Sequence, residues 1–165
     1  MQRIKDFEYM NVYNIQGKKL GSIKELYIDF YNGKLKGFEV NRRGLKKENF
    51  IEINSIITVN KSLIFDNFSK SQGLPFCKIK GMDVVDKCGE IVGVVEDMVI
   101  DTSDYTVKGL IISSGFINKL IRGKNIILFN QMILGEKFIL YYGSYNVLLK
   151  SMPHNFAKGD CYEET

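Results

Sequence analysis

Histidine, proline and cysteine are all scarce in this chain, and each shortage narrows what the protein can do. The single histidine, His154, sits in the polar segment Met152-Pro153-His154-Asn155-Phe156, far from any second acid–base group in sequence. An isolated imidazole of this kind reads as structural or simply exposed, because proton-transfer catalysis needs groups that converge. Serine-nucleophile, phosphate-loop, dinucleotide and zinc patterns are likewise missing, so no catalytic residue, cofactor or metal ligand is expected. The three cysteines, Cys77, Cys88 and Cys161, are odd in number and lack metal-site spacing. They read as reduced thiols of a cytosolic protein.

Long apolar runs are also missing. Nothing approaches the roughly 20 residues that a membrane-spanning helix needs. The opening Met1-Gln2-Arg3-Ile4-Lys5-Asp6 has no apolar core of a secretory signal. A soluble, cytoplasmic protein is the expectation. The formal charge of +4 is mild: it would assist contact with an acidic surface but is low for a chain dedicated to nucleic acid.

What the chain does have is glycine and internal repetition. Fifteen glycines against two prolines suit tight turns between short strands, and do not suggest disorder or collagen. The stretch from Asn11 to Asp29 matches that from Asp83 to Asp101. Gly17 pairs with Gly89, Gly21 with Gly93, Asp29 with Asp101 and Gly37 with Gly109, each pair 72 residues apart. Phe50-Ile51-Glu52-Ile53-Asn54 then aligns with Ile126-Ile127-Leu128-Phe129-Asn130 at a spacing of 76, so the second copy carries four extra residues before this strand. A period of about 75 residues is too long for a solenoid and suits a duplicated small domain.

Local chemistry predicts β-structure in both copies. Gly17 and Gly89 follow polar turn segments, where positive φ is cheap only without a Cβ. Gly21 and Gly93 interrupt runs of β-formers, which predicts a bulge or sharp bend. In Lys34-Leu35-Lys36-Gly37-Phe38-Glu39-Val40, Phe38 and Val40 alternate but Leu35 is out of step, which a bulge at Gly37 would allow. Further short strands are expected at Phe50–Ile53, Ile56–Val59 and Leu63–Phe65, and at Ile126–Phe129, Met132–Leu134 and Phe138–Tyr142. Helix is limited to a turn or two, with Ile117–Arg122 as one place for it.

The pattern G-x-x-[LV]-G-x-[IV]-x-[ED]-[LM]-x-I-D, then a turn and [LV]-x-G-[FL], occurs at Gly17–Asp29 with Leu35–Phe38 and again at Gly89–Asp101 with Val107–Leu110. It resembles the opening half of a PRC-barrel domain. That family includes the cytoplasmic domain of the photosynthetic reaction-centre H subunit and the C-terminal domain of RimM-type ribosome maturation factors. It also includes small stand-alone proteins, some associated with sporulation. The resemblance implies an all-β chain of two tandem small antiparallel β-barrels, 1–72 and 73–150, followed by a polar tail at 151–165. The join at 67–75 has linker composition, but Phe68 and Leu74 suggest that it packs. The family brings no catalytic residues. It implies an adaptor that grips a protein partner through its loops or through the groove between barrels.

Two loops are the candidate contact sites. The first holds Arg42, Arg43, Lys46 and Lys47. The second sets Phe116, Ile117, Leu120 and Ile121 on one face of a short helical turn, with Lys119 and Arg122 beside them. Loops on a rigid barrel commonly carry function, though these apolar side chains read first as a lid over the open end of the second barrel, a role that is compatible with a partner patch. The alternative function is RNA or ribosome association, with the same cations and Lys124 on phosphates. Homodimerisation stays open. Carboxylates gather at Glu96, Asp97, Asp101 and Asp104, but their spacing is unlike a calcium loop. Asp29 and Asp101 are instead expected to hold the turns that follow them.

Overall fold

The computed structural model describes residues 1–42, 48–113, 124–143 and 147–149. The first copy contains β1 (Gln2–Arg3), a single helical turn α1 (Ile4–Phe7), β2 (Asn11–Asn14), β3 (Lys19–Asp29), β4 (Lys34–Arg42) and β5 (Phe50–Glu52). A 3-10 turn at Ile53–Ser55 leads into β6 (Ile56–Val59) and β7 (Ser62–Phe65). The second copy repeats the series. It has β8 (Leu74–Pro75), a 3-10 turn at Phe76–Lys78, β9 (Asp83–Val85), β10 (Ile91–Asp101), β11 (Thr106–Ser113) and β12 (Lys124–Leu128). Another 3-10 turn, Phe129–Gln131, precedes β13 (Met132–Leu134), β14 (Phe138–Tyr141) and β15 (Val147–Leu149). The chain is all-β.

Neighbour order is the same in both copies: β6-β7-β2-β3-β4-β5 and β13-β14-β9-β10-β11-β12. The expected antiparallel scheme holds except for one pair in each copy, since β2 with β7 and β9 with β14 run parallel. The cause is the 3-10 turn between β5 and β6, and its counterpart, which carry the chain sideways without reversing it. Among the described residues the ladders do not close. β5 is not paired with β6, nor β12 with β13; Ser69 bridges Phe50 at the edge of β5, and β15 pairs with β12. A pairing of β4 with β11 then joins all fifteen strands into one sheet.

The glycine readings find their physical causes here. Gly17 and Gly89 adopt φ of 75° and 85°. Gly37 and Gly109 hold equivalent positions in the two copies, and a Cβ on either would collide with a crossing carbonyl, Ile51 O for Gly37 and Ile127 O for Gly109. The register of β3 on β4 slips between Tyr27 and Ile28, leaving Lys36 outside the ladder, so Leu35, Phe38 and Val40 all point into the core. That core is one cluster running through both copies, with Phe7, Phe38, Ile28, Leu63, Met98 and Ile100 fully buried. Burying a side chain such as Phe7, whose ring lies 5.4 Å from that of Phe38, stabilises by roughly 2 to 3 kcal/mol.

The opening segments are exchanged. β1 belongs to the first copy but pairs with β10, Gln2 against Ile100 and Arg3 against Val99. β8 belongs to the second copy but pairs with β3, Leu74 against Ile28 and Pro75 against Tyr27. These registers are equivalent at the 72-residue spacing. Each copy thus completes the other. The linker consequently does pack, and Phe68 stacks edge-on to Phe65 at 4.5 Å between ring centres.

Candidate interaction site

The two copies meet where the turn before β4 touches the turn before β11. Lys34 pairs with Thr106, its own repeat equivalent. Leu35 N–H donates to Tyr105 O at 2.9 Å and Val107 N–H to Gly33 O at 2.8 Å. Those two bonds exchange under the 72-residue shift, so the junction has local two-fold character. Gly33 and Tyr105, equivalent residues, both hold positive φ, 60° and 55°.

Beside this junction lies a groove of about 660 Å³. Phe30 from the first copy packs its ring on Phe129 of the second, 4.7 Å centre to centre. Around that pair stand Tyr31, Leu128, Ile133 and Tyr142, exposed by 91%, 37%, 55% and 44%. Tyr142 is fixed by donating its hydroxyl hydrogen to Asn130 O at 2.8 Å. At the equivalent positions of the other half stand Ser103, Glu52, Ile57 and Asp66. One of two like-made faces is therefore apolar and aromatic, whereas its counterpart is largely polar. Exposed apolar surface gathered in one concavity is the usual mark of a binding face.

Of the ten candidate contact residues in the two loops, Arg42 alone lies among those described. Its guanidinium sits 4.0 Å over the Phe68 ring and donates to Glu48 O at 2.6 Å. Arg43, Lys46, Lys47, Phe116, Ile117, Lys119, Leu120, Ile121 and Arg122 lie outside the described residues. The groove residues escaped notice because each is unremarkable alone; comparing the copies position by position would have found them.

The carboxylates do not form one cluster. Asp97, 7% exposed, accepts N–H bonds from Ile4 at 3.1 Å and Met98 at 2.8 Å. Asp101 accepts from the Ser103 hydroxyl and N–H, which hold its carboxyl down to about 2. Asp29 does the same with Asn32, and Asp104 with Thr106. The turn-holding role expected of Asp29 and Asp101 is observed.

A second polar group surrounds Glu39. Lys24 Nζ approaches its carboxylate to 2.7 Å, the Tyr27 hydroxyl donates at 2.9 Å and Asn49 Nδ2 at 3.3 Å. Burial pushes Glu39 up, but the bonds from Lys24 and Tyr27 outweigh it and hold the carboxyl below its usual range. Burial, then the bond to Glu39, pushes Tyr27 up to about 12. Burial and a hydrogen bond with Glu25 push the nearby Cys77 thiol up, which disfavours the reactive thiolate.

A family model for the PRC-barrel domain matches residues 1–72 and, a second time, residues 74–141. The chain belongs to the PRC-barrel family. No curated protein matches it. PRC-barrel domains are general interaction modules and are generally non-catalytic. No helix among the described residues is long and apolar enough to cross a membrane.

Proposed function

We propose that this tandem of two small barrels is a non-catalytic adaptor in the cytoplasm that holds a protein partner in the groove between its copies. The observation that carries this reading is the one-sided apolar character of the groove. Tyr31, Leu128, Ile133 and Tyr142 stand where the other copy has serine, glutamate, isoleucine and aspartate. A partner would bury these side chains, with aromatic anchors supplying most of the affinity. Self-association through the same groove is part of the proposal's test, and a sporulation setting rests on the family resemblance alone.

RNA or ribosome association is the second reading. Of its cations only Arg42 and Lys124 lie among the described residues, and they come from different copies rather than from one lined concavity. The protein-binding role therefore ranks first.

The test replaces Tyr31 and Ile133 with serine. Both are exposed, so the fold should be kept. Loss of the partner that co-purifies with the unaltered chain supports the adaptor reading. Undiminished capture by the folded variant overturns it, and light scattering shows whether the partner is a second copy.

A further inference from the structure

On another part of the first copy, a groove of about 780 Å³ is bordered by Tyr9, Lys18, Lys19, Asn41 and Arg42. No carboxylate is among its described lining residues. Lys18 and Lys19 are exposed, and neither ammonium makes an ion pair among the described residues. Arg42 is pinned at the rim by its contacts with Phe68 and the Glu48 carbonyl. Three cations thus border one concavity, and none of its described lining residues supplies a counter-charge.

The second copy supplies an internal control. At the 72-residue spacing, Lys18 and Lys19 become Glu90 and Ile91, Asn11 becomes Asp83, and Tyr9 becomes Gly81. The backbone is the same: Tyr9 N–H bonds to Ile23 O as Gly81 N–H bonds to Val95 O. So the fold does not require these cations, and the equivalent positions of the second copy carry acidic residues instead.

Tyr9 adds an independent observation. It holds φ of 64°, where a residue with a Cβ is disfavoured and where the sibling uses glycine at 85°. Yet its side chain is 82% exposed, so packing does not repay the backbone cost. Strained residues that the fold does not need mark binding sites more often than chance. An exposed phenol ring beside three cations matches a ligand with a flat ring and several phosphates.

We infer that this groove binds a nucleotide polyphosphate, with the phosphates on Lys18, Lys19 and Arg42 and the base against Tyr9. A concavity of this volume falls in the size range of small-molecule sites. This site shares no lining residue with the apolar groove, and neither reading depends on the other.

The experiment titrates the full chain with ATP and with inorganic pyrophosphate by calorimetry at about 50 mM salt, where phosphate contacts are least screened. Saturable binding of one ATP per chain is expected, at least tenfold tighter than pyrophosphate. Two variants install the sibling's residues. Lys18→Glu with Lys19→Ile should weaken both ligands at least tenfold, whereas Tyr9→Gly should weaken ATP severalfold and leave pyrophosphate unchanged. Thermal melts confirm folding, and photo-crosslinking of an azido-ATP to the unaltered chain locates the site if the double variant fails to fold. The inference is overturned by absent saturable ATP binding, by equal affinity for pyrophosphate, by full binding in the folded double variant, or by crosslinks elsewhere. Binding only to RNA oligonucleotides or only to phosphatidylglycerol vesicles overturns it as well.

Discussion

Asp97, in the middle of β10, accepts a hydrogen bond at 3.1 Å from the backbone of Ile4, 93 residues earlier in the chain. This bond fastens α1 of the first copy to a strand of the second. Its equivalent in the first copy is Glu25, which accepts from Leu26 N–H and interacts with Cys77, at the exchanged turn that follows β8. An acidic residue at this place in each copy thus receives the other copy's opening segment.

Asp97→Ala leaves two buried N–H groups without their acceptor, which costs about 2 to 4 kcal/mol. The loss should appear in denaturant unfolding. Hydrogen exchange at Ile4 should accelerate more than exchange at the centre of β3, because the variant frees the exchanged segment first.

Gly37→Ala and Gly109→Ala each drive a Cβ into a crossing backbone carbonyl that cannot turn aside. Each should destabilise by about 1 to 3 kcal/mol, the usual range for overpacking. Gly17→Ala meets nothing within 4 Å and is penalised only by its φ of 75°. Comparative melts of the three variants should show Gly17→Ala as the mildest.

Tyr27 should resist ionisation. Its folded pKa, about 12, lies above the ordinary 10.0, so the neutral phenol contributes stability at all lower pH. That contribution is lost as pH rises from 10.0 through about 12. Ultraviolet titration of the phenols should find Tyr27 among the late transitions, together with the burial-raised Tyr105, and Glu39→Gln should bring the Tyr27 transition earlier.

Acid should act in the opposite sense. Asp101 is held at about 2 against an ordinary 3.8, and Asp29 and Asp104 are lowered too. Their turn-holding bonds are complete above about pH 4 and fail as pH falls towards about 2. Carboxyl shifts followed by nuclear magnetic resonance should show Asp101 titrating last of the three, and Asp101→Asn should flatten the acid limb of the stability curve.

Much of the fold was legible because it is written in local chemistry. Gly17, Gly89 and the out-of-step Leu35 announce turns and a bulge through backbone sterics that need no tertiary information. The four-residue change of spacing likewise located β5 and β12 correctly. The exchange of β1 and β8 was not legible. Gln2-Arg3 and Leu74-Pro75 are too short to carry an alternating pattern, and which strand edge receives them is decided by packing between the copies. The sideways step at Ile53–Ser55, which sets β7 parallel to β2, escaped for a similar reason, since Asn54-Ser55 between two strands reads as an ordinary reversing turn. The interaction groove was hidden for another: Phe30 and Phe129 lie far apart in sequence and acquire meaning only when the junction brings their rings together.

The crossed opening segments also decide how tension would travel. A pull on the first residues is borne by Val99 and Ile100 rather than by sequence neighbours, so the distal half yields its strand edge before the proximal half is disturbed. Anything tethered to that end of the polypeptide would tug mechanically on the far repeat.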